Sequence, residues 1–264
     1  MLADTSAGDV ELVVVDNGST DDSIANLARD LPDVRVVHAP GNVGYARGAN
    51  LGIAATRAPV VAVLNSDTEV EPGTAAALLG RFDSDPQLGA VGPRVRNPDG
   101  TDYPSARSIP SLVDAAGHSA LGLFRPRNRF TRRYRQLDAD PDTSRSVDWL
   151  SGAAMWLRRA ALDDIGGWDE RYFMYMEDLD LCWRLRRAGW AVVYEPAGAV
   201  LHVQGVSTAR VPYRMLAEHH RSAYRFTKRR MTGWRRVLLP FAAGYLAGRA
   251  FLAMAMHAVR RRRP

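Results

Sequence analysis

Three apolar runs, each stopping at a polar turn, do most to constrain the fold of this chain. ELVVV (residues 11–15) runs into DNGST, VRVVHA (34–39) into a glycine-rich turn, and PVVAVLN (59–65) into SDTEVEPG. Short runs rich in β-branched residues and bounded by turn formers read as buried strands. Helical segments lie between them: Asp21 and Asp22 open one with acids in its first turn, and GNVGYARGANLGIAATR leads from a turn into another. Residues 74–84 predict a helix, LGAVGPRV a further strand and AVVYEPAGAVLH a late one. Strands alternating with helices imply an α/β chain: a Rossmann-like, mostly parallel sheet with helices on both faces. Ligands of such sheets sit beyond the carboxyl ends of the strands, where DNGS and NSD both fall.

Composition separates the chain into two parts. With 264 residues, 46% hydrophobic and 24% charged, there is enough material for one large core. The lone cysteine, Cys182, excludes an internal disulfide framework, fits a reducing compartment and is assigned to packing. The first residues lack the basic and apolar regions of a signal peptide. Between Arg210 and Pro264 stand fourteen Lys/Arg against one acid, Glu218, so this part carries +13 within a net +6, leaving −7 for the rest. The expected division is therefore a catalytic domain over 1–209 and a basic, amphipathic helical tail over 210–264. Such a tail points to anionic lipid or to nucleic acid, and the acidic remainder argues against nucleic acid. The proline- and arginine-rich stretch 97–145, with Arg125, Arg127, Arg129, Arg132, Arg133 and Arg135, reads as an excursion or mobile loop over the site.

Val237 to Val259 is apolar apart from Arg249 and His257, which is long enough to span a bilayer. An arginine at the centre of a span costs about 2.5–3.5 kcal/mol on insertion scales. Basic residues at both ends also conflict with the charge asymmetry of a spanning helix. The expected arrangement is a helix lying in the membrane interface; a helix packed on the domain is the alternative.

Several polar residues are candidates for chemistry, each with a plain structural alternative. Asp16 ends a strand, where it can accept hydrogen bonds from a ribose or base, or simply cap a turn. Asp67 can hold Mg²⁺ or Mn²⁺ together with substrate phosphates, with Asn65 a weaker oxygen donor, or make an Asx turn. Glu177, Asp178 and Asp180 open a helix that closes on Arg184, Arg186 and Arg187, a pattern the helix dipole alone accounts for. These acids do not share one helical face, so one or two can enter a cleft, and a single carboxylate there can act as general base. His202, followed by Gly205 and Ser207, is either a hydrogen-bonded core residue or a contact to a diphosphate or its metal.

The order of the motifs is more specific than any one of them. DNGSTD, GNVGYARGAN, LNSDTEVEPG, SGAAMWLRRAALDDIGGWDERYFMYMEDLDLCWRLRRAGW and HVQGVST, spread over Val10 to Thr208, resemble the family 2 glycosyltransferases, most closely the rhamnosyltransferase-like branch of cell-envelope enzymes. The resemblance implies a GT-A fold, a divalent cation (Mg²⁺ or Mn²⁺) and a nucleotide-diphosphate-sugar donor (dTDP- or UDP-linked). The acceptor would be a cell-envelope glycan or a polyprenyl-linked one, and the protein would be cytoplasmic, peripheral on the inner face of the cell membrane at an anionic surface. Carried over by position, Asp16, Asn17, Gly18, Ser19, Asn42, Gly44, Arg47, Asn50 and Asn65 would bind nucleotide or donor. Asp67 and His202 would hold the metal, Trp149, Ser151, Gly152 and Glu177 would line the acceptor and sugar side, and Asp178 would be the catalytic base. The helix start is expected to keep Asp178 ionised. The implied reaction is an inverting displacement: an acceptor hydroxyl, deprotonated by Asp178, attacks the anomeric carbon as the diphosphate leaves.

Family members begin with a strand and helix ahead of the DNGS strand. Here that motif arrives at Asp16, so a βα unit of on the order of 30 residues is expected to be missing. The sheet is expected to lack one interior strand beside ELVVV. The rival to an enzyme is a degenerate nucleotide-sugar-binding module or, from the basic tail, a nucleic-acid-binding protein.

Overall fold

The computed structural model describes residues 10–122, 125, 127–203 and 212–261. The first half runs β1 (Val13–Asp16), α1 (Ser23–Asp30), β2 (Arg35–His38), α2 (Tyr45–Ala54), β3 (Val60–Leu64), β4 (Thr68–Val70), α3 (Thr74–Ser84), β5 (Leu88–Arg96), β6 (Asp102–Tyr103) and β7 (Ala106–Arg107). Then follow α4 (Leu112–Leu121), α5 (Arg129–Arg135), β8 (Arg145–Ser146), β9 (Trp149–Leu150), β10 (Ala154–Arg158), α6 (Arg159–Ile165), α7 (Glu177–Arg187), β11 (Ala191–His202), α8 (Pro212–Arg230), a 3-10 turn (Gly233–Leu238) and α9 (Leu239–Arg261).

Period-two alternation builds a core on each face of the main sheet. Ala90, Met155, Leu157, Val192 and Tyr194 pack with Ala46 of α2, Leu162 of α6 and Leu179, Leu181 and Leu185 of α7. Their neighbours Val91, Ala154, Trp156 and Val193 turn to the opposite face and pack on Leu78 and Phe82 of α3. Helices thus cover both faces, as the alternating sequence implied. The sheet is mixed rather than mostly parallel. Its order is β3-β10-β5-β11-β4, and β5 runs parallel to β11. β10 enters antiparallel between β3 and β5, and β4 is antiparallel to β11. β3, β5 and β11 keep one direction, so the parallel frame survives with a reversed strand inserted into it.

β1 and β2 form a separate two-stranded parallel sheet. Among the described residues, β2 is the only strand neighbour of β1, and β10 the only one of β3. The interior strand expected beside ELVVV is therefore absent from the described sheet. None of the four β1 residues is fully buried.

The stretch 97–145, read as an excursion or mobile loop over the site, contains regular structure. It supplies β6, β7, α4, α5 and β8, and is tied down by Ser108 N–H to Tyr134 O (3.0 Å) and Ile109 N–H to Asp148 Oδ2 (2.7 Å). Arg125 and Arg127 lie among or beside residues outside the description.

The expected boundary at 209/210 does not separate α8 from the catalytic body. Phe226 lies in the main core against Trp183, with ring centroids 6.1 Å apart. Ser222 donates to Met174 O (2.9 Å), and Arg229 bridges Asp169 and Asp180 (both 2.7 Å). Arg229, one of the basic residues that made this segment look like a tail, neutralises acids of the body, while Arg225 and Arg230 donate to the carbonyls of Arg171 and Pro110.

Candidate active site

Backbone connections bring the separate motifs to one short segment, Ser151–Ala153, between β9 and β10. The C-terminal end of β3 is fastened there by Asn65 N–H to Ala153 O (2.9 Å), with Thr68 Oγ1 on the same carbonyl (3.3 Å). The start of α7 is fastened by Gly152 N–H to Asp178 Oδ2 (3.0 Å). Tyr45, the first residue of α2, donates its hydroxyl to Gly152 O. Ser151 N–H reaches Ser105 O (2.8 Å), which adds the β6–β7 region.

The loops after β1 and β2 depend on two glycines. At Gly44 (φ +88°) a Cβ would stand 2.5 Å from Phe173 O, and at Gly18 (φ +82°) 2.8 Å from Asn42 N. Any side chain there would push apart loops that must touch. Asn17 bridges them, accepting from Val43 N–H (2.8 Å) and donating to Gly44 O (3.2 Å). Asp16 ends β1 with Oδ1 on Ser19 N–H (2.8 Å) and Oδ2 on His38 (3.1 Å), and the Ser19 bonds hold its carboxyl below the usual range. Asn42 accepts from Gly44 N–H (3.2 Å), and Arg47 lies 3.7 Å from Glu170. Asn50 braces the loop before α7: its amide accepts from Trp168 N–H and donates both N–H groups, to Trp168 O and Glu170.

Asp67 and His202 meet because β4 and β11 pair Thr68 with His202. His202 Nε2 lies 3.1 Å from Asp67 Oδ1 and 3.3 Å from Asn65 Nδ2. That nitrogen donates to Asp67 or accepts from Asn65, and cannot do both. Among the described residues no three His, Cys, Asp or Glu side chains cluster as a complete metal cage. One carboxylate and one imidazole side by side fit a divalent cation whose remaining positions are filled by substrate phosphates and water. Gly205 and Ser207 lie outside the described residues.

At the start of α7 the three acids divide. Asp180 is fully buried and paired with Arg184 and Arg229 (2.7 Å each), a structural role. Asp178 accepts from Gly152 and from Leu179 N–H (2.8 Å). Glu177 is 6% exposed, and its buried Oε2 has no hydrogen-bond partner. Tyr175 and Met176, just before them, are both left-handed (φ 67° and 66°), a strained pair costing about 1–3 kcal/mol per residue. The helix start does not hold the Asp178 pKa at or below its ordinary value. Burial raises its pKa, although Gly152 N–H and the Arg107 charge oppose the rise. Burial, and next the Asp178 charge, push Glu177 well above the ordinary range. Trp149 is buried, with its ring under the Arg107 guanidinium at 4.8 Å.

Tyr45, Ser105 and Arg107 were missed from the sequence. Tyr45 stands in the quoted GNVGYARGAN, and that was the one available signal. Nothing in the chain marks β7, only two residues long, as the partner of β9.

A crossed α/β sheet carrying acidic motifs at its strand ends and a carboxylate at a buried helix start defines a GT-A glycosyltransferase. The chain belongs to the glycosyltransferase-like family 2: the profile described as "Glycosyltransferase like family 2" matches residues 1–235. It is 42% identical to the N-acetylglucosaminyl-diphospho-decaprenol L-rhamnosyltransferase of Mycobacterium tuberculosis over 96% of this chain and 86% of that one. It is 34% identical to the pre-mycofactocin glycosyltransferase of the same organism, over 75% of this chain and 38% of that one. Among solved structures, its fold is similar to GalNAc-T7 with UDP, GalNAc and Mn²⁺ (TM-score 0.53, 14% identity), over 73% of this chain and 37% of that one. It is also similar to the Pyrobaculum calidifontis mannosyltransferase with GDP-Man and Mn²⁺ (TM-score 0.50, 15% identity), over 94% and 66%.

Proposed function

We propose that the protein transfers a rhamnose-like sugar, with inversion, from a dTDP- or UDP-sugar to a polyprenyl-linked glycan acceptor at the cytoplasmic face of a membrane. The observation that carries this reading is the convergence on Ser151–Ala153, which ties Asp178 at the start of α7 and the β3 end leading to Asp67 to one segment, with His202 at the end of β11 against Asp67. The 42% identity to an enzyme named for a diphospho-decaprenol acceptor supports the substrate class.

In this reading Asp16 and the loop around Gly18 and Gly44 hold the nucleoside. Asp67 and His202, with Asn65 beside them, hold Mg²⁺ or Mn²⁺, and such a cation neutralises the negative charge of the departing diphosphate. Asp178 takes the proton from the acceptor hydroxyl as that oxygen bonds to the anomeric carbon and the diphosphate leaves with its electron pair. A leaving group that stable requires no general acid, so one catalytic carboxylate suffices, whereas glycoside hydrolysis normally needs two. Trp149, Ser151, Gly152 and Glu177 border the sugar and acceptor. The test is transfer from dTDP- and UDP-sugars to a synthetic polyprenyl-diphosphate-linked sugar, with the product's anomeric configuration read by NMR. A retained configuration, or no transfer with any donor, refutes it.

Helix α9 supports the membrane half of the reading. Gly233–Val259 is long and apolar enough to cross a bilayer. The arginine at its centre turns inward, however: Arg249 donates to Ser119 O (3.1 Å) and lies 3.4 Å from His220 Nε2, and His257 stacks edge-on against Tyr213. Trp234, Phe241 and Phe251 are 75–76% exposed. A helix with its polar residues against the protein and its apolar stripe outward is suited to lie flat on lipid. It packs along the basic helix α8, which would have to enter the hydrocarbon if α9 spanned it. Cosedimentation with phosphatidylglycerol vesicles checks this. A triple Trp234→Ser, Phe241→Ser, Phe251→Ser variant should stay in solution, and equal binding by the variant overturns it.

A further inference from the structure

Arg107 belongs to none of the motifs, yet it is the cation whose charge reaches Asp178. The pairing of β7 with β9, Arg107 opposite Trp149, lays the guanidinium 4.8 Å from the Trp149 ring centre. Tyr103 and Tyr134 complete an aromatic cage at 5.2 and 5.8 Å. Its N–H groups donate to Pro104 O (2.6 Å), Tyr103 Oη (2.6 Å) and Tyr134 Oη (3.4 Å). Held by three hydrogen bonds and three aromatic rings, Arg107 is a charge fixed in place.

The two acids at the start of α7 are inequivalent. Two buried acids adjacent in the chain cannot both ionise cheaply, and they titrate as a pair. Asp178 accepts two backbone N–H groups, whereas Glu177 Oε2 has no partner. Beside them on α7, Asp180 is neutralised by its ion pairs with Arg184 and Arg229, and the remaining neighbours are held toward their neutral forms. From α2, the Tyr45 phenol is pushed well above its ordinary value by burial and then by both carboxylates. Tyr175 is raised by burial and Glu177, and Cys182, one turn along α7, is pushed up to about 12 by burial. On α4, His118 is pushed down to about 4, by burial first and then by Arg135, Arg249 and Arg107.

We propose that Arg107 is a positioning residue for sugar transfer: its caged charge selects Asp178 as the anion that meets the acceptor hydroxyl and leaves the shared proton on Glu177. The proposal rests on the reading of Asp178 as the base.

The test is the pH dependence of kcat at saturating donor and acceptor. Arg107→Gln should move the acid limb about one unit to higher pH, a tenfold loss on the acidic side, with donor KM unchanged. Glu177→Gln should leave the limb in place, because Glu177 is already neutral when Asp178 ionises; a limb that moves down by a unit would show Glu177 ionising first and overturns the assignment of the proton. Arg107→Lys, which keeps the charge, should hold the limb near its native place at reduced kcat. Tyr103→Phe/Tyr134→Phe, which loosens the cage, should shift the limb in the Arg107→Gln direction by less. An unmoved limb in Arg107→Gln, with only a lower Tm, makes Arg107 a packing residue and overturns the proposal. If Arg107→Gln does not fold, a native limb in the double tyrosine variant overturns it equally. Failure of the underlying reading has a different signature, transfer that persists in Asp178→Asn.

Discussion

Gly152 donates its backbone N–H to Asp178 Oδ2 at 3.0 Å, joining the turn between β9 and β10 to the first turn of α7. That bond holds the carboxylate in place without a second side chain. Asp178→Asn keeps an oxygen for the bond and removes the base. Transfer should fall about 10²–10⁴-fold while nucleotide-sugar affinity, measured calorimetrically, stays within about twofold, because the donor is held elsewhere. Near-normal transfer in Asp178→Asn would show that another group takes the proton.

Burial of Glu177 and Asp178 sets a sign for stability against pH. Both pKa values are raised on folding. The native state therefore keeps a proton that the unfolded chain has already lost, and stability falls as pH rises from the ordinary carboxylate range through the raised value. Asp169 acts in the opposite sense. Burial alone would raise it, but Arg171 and Arg229 hold it at about 2, so its contribution is present above the ordinary value and lost as pH falls toward 2. Tm should peak in mildly acidic buffer, and Glu177→Gln should raise Tm at pH 7 and flatten the neutral side. A Glu177→Gln curve parallel to the native one counts against the buried acid.

Asp180 tests the structural half of the cluster. It is fully buried between Arg184 and Arg229, with a further contact to the Tyr172 hydroxyl at 3.3 Å. Removing one member of a buried ion pair leaves an uncompensated charge and costs about 3–5 kcal/mol. Asp180→Ala should lose stability on that scale in urea unfolding, whereas Asp178→Asn should not. A loss under about 1 kcal/mol would mean the network is better hydrated than its burial implies.

Asp67 and His202 should act together on donor binding. Asp67→Asn and His202→Ala should each weaken nucleotide-sugar affinity in Mn²⁺ by about tenfold or more, the scale on which altered metal coordination is felt. With EDTA present the variants and the native protein should bind alike. Mn²⁺ titrations that coincide for all three proteins rule out this pair as the cation's seat.

The small β1–β2 sheet should be the loosest part of the nucleotide side. Two-stranded sheets are marginal alone, and no β1 residue is fully buried. Amides of Val13–Asp16 should exchange with solvent far faster than those of Val91 and Trp156 in the main sheet. Equal protection would show that β1 is held by more than its one strand neighbour and α2.

Much of this protein is decided by local sequence. The apolar runs, their terminating turns and the helices between them specify α3 at Thr74–Ser84 and β11 at Ala191–His202 at the residues expected. The order of the motifs carries the family, because polar residues at strand ends keep their spacing along the chain. Strand direction was not legible: β10 looks like any apolar strand, and only its pairing with both β3 and β5 makes it antiparallel. Nor was the meaning of charge. The arginines of α8 counted toward a detached basic tail until Arg229 was found between Asp169 and Asp180, and Arg249 looked like a cost in lipid until it was found turned toward Ser119. Asp178 shows the same limit. A helix start lowers a carboxyl's pKa, while burial, which depends on residues far away in the chain, raises it and outweighs the helix start. Local sequence sets backbone preference and periodicity through nearest-neighbour sterics and hydrogen bonding. Charge state and pairing depend on distance and desolvation in three dimensions, so they exist only once the tertiary structure has formed.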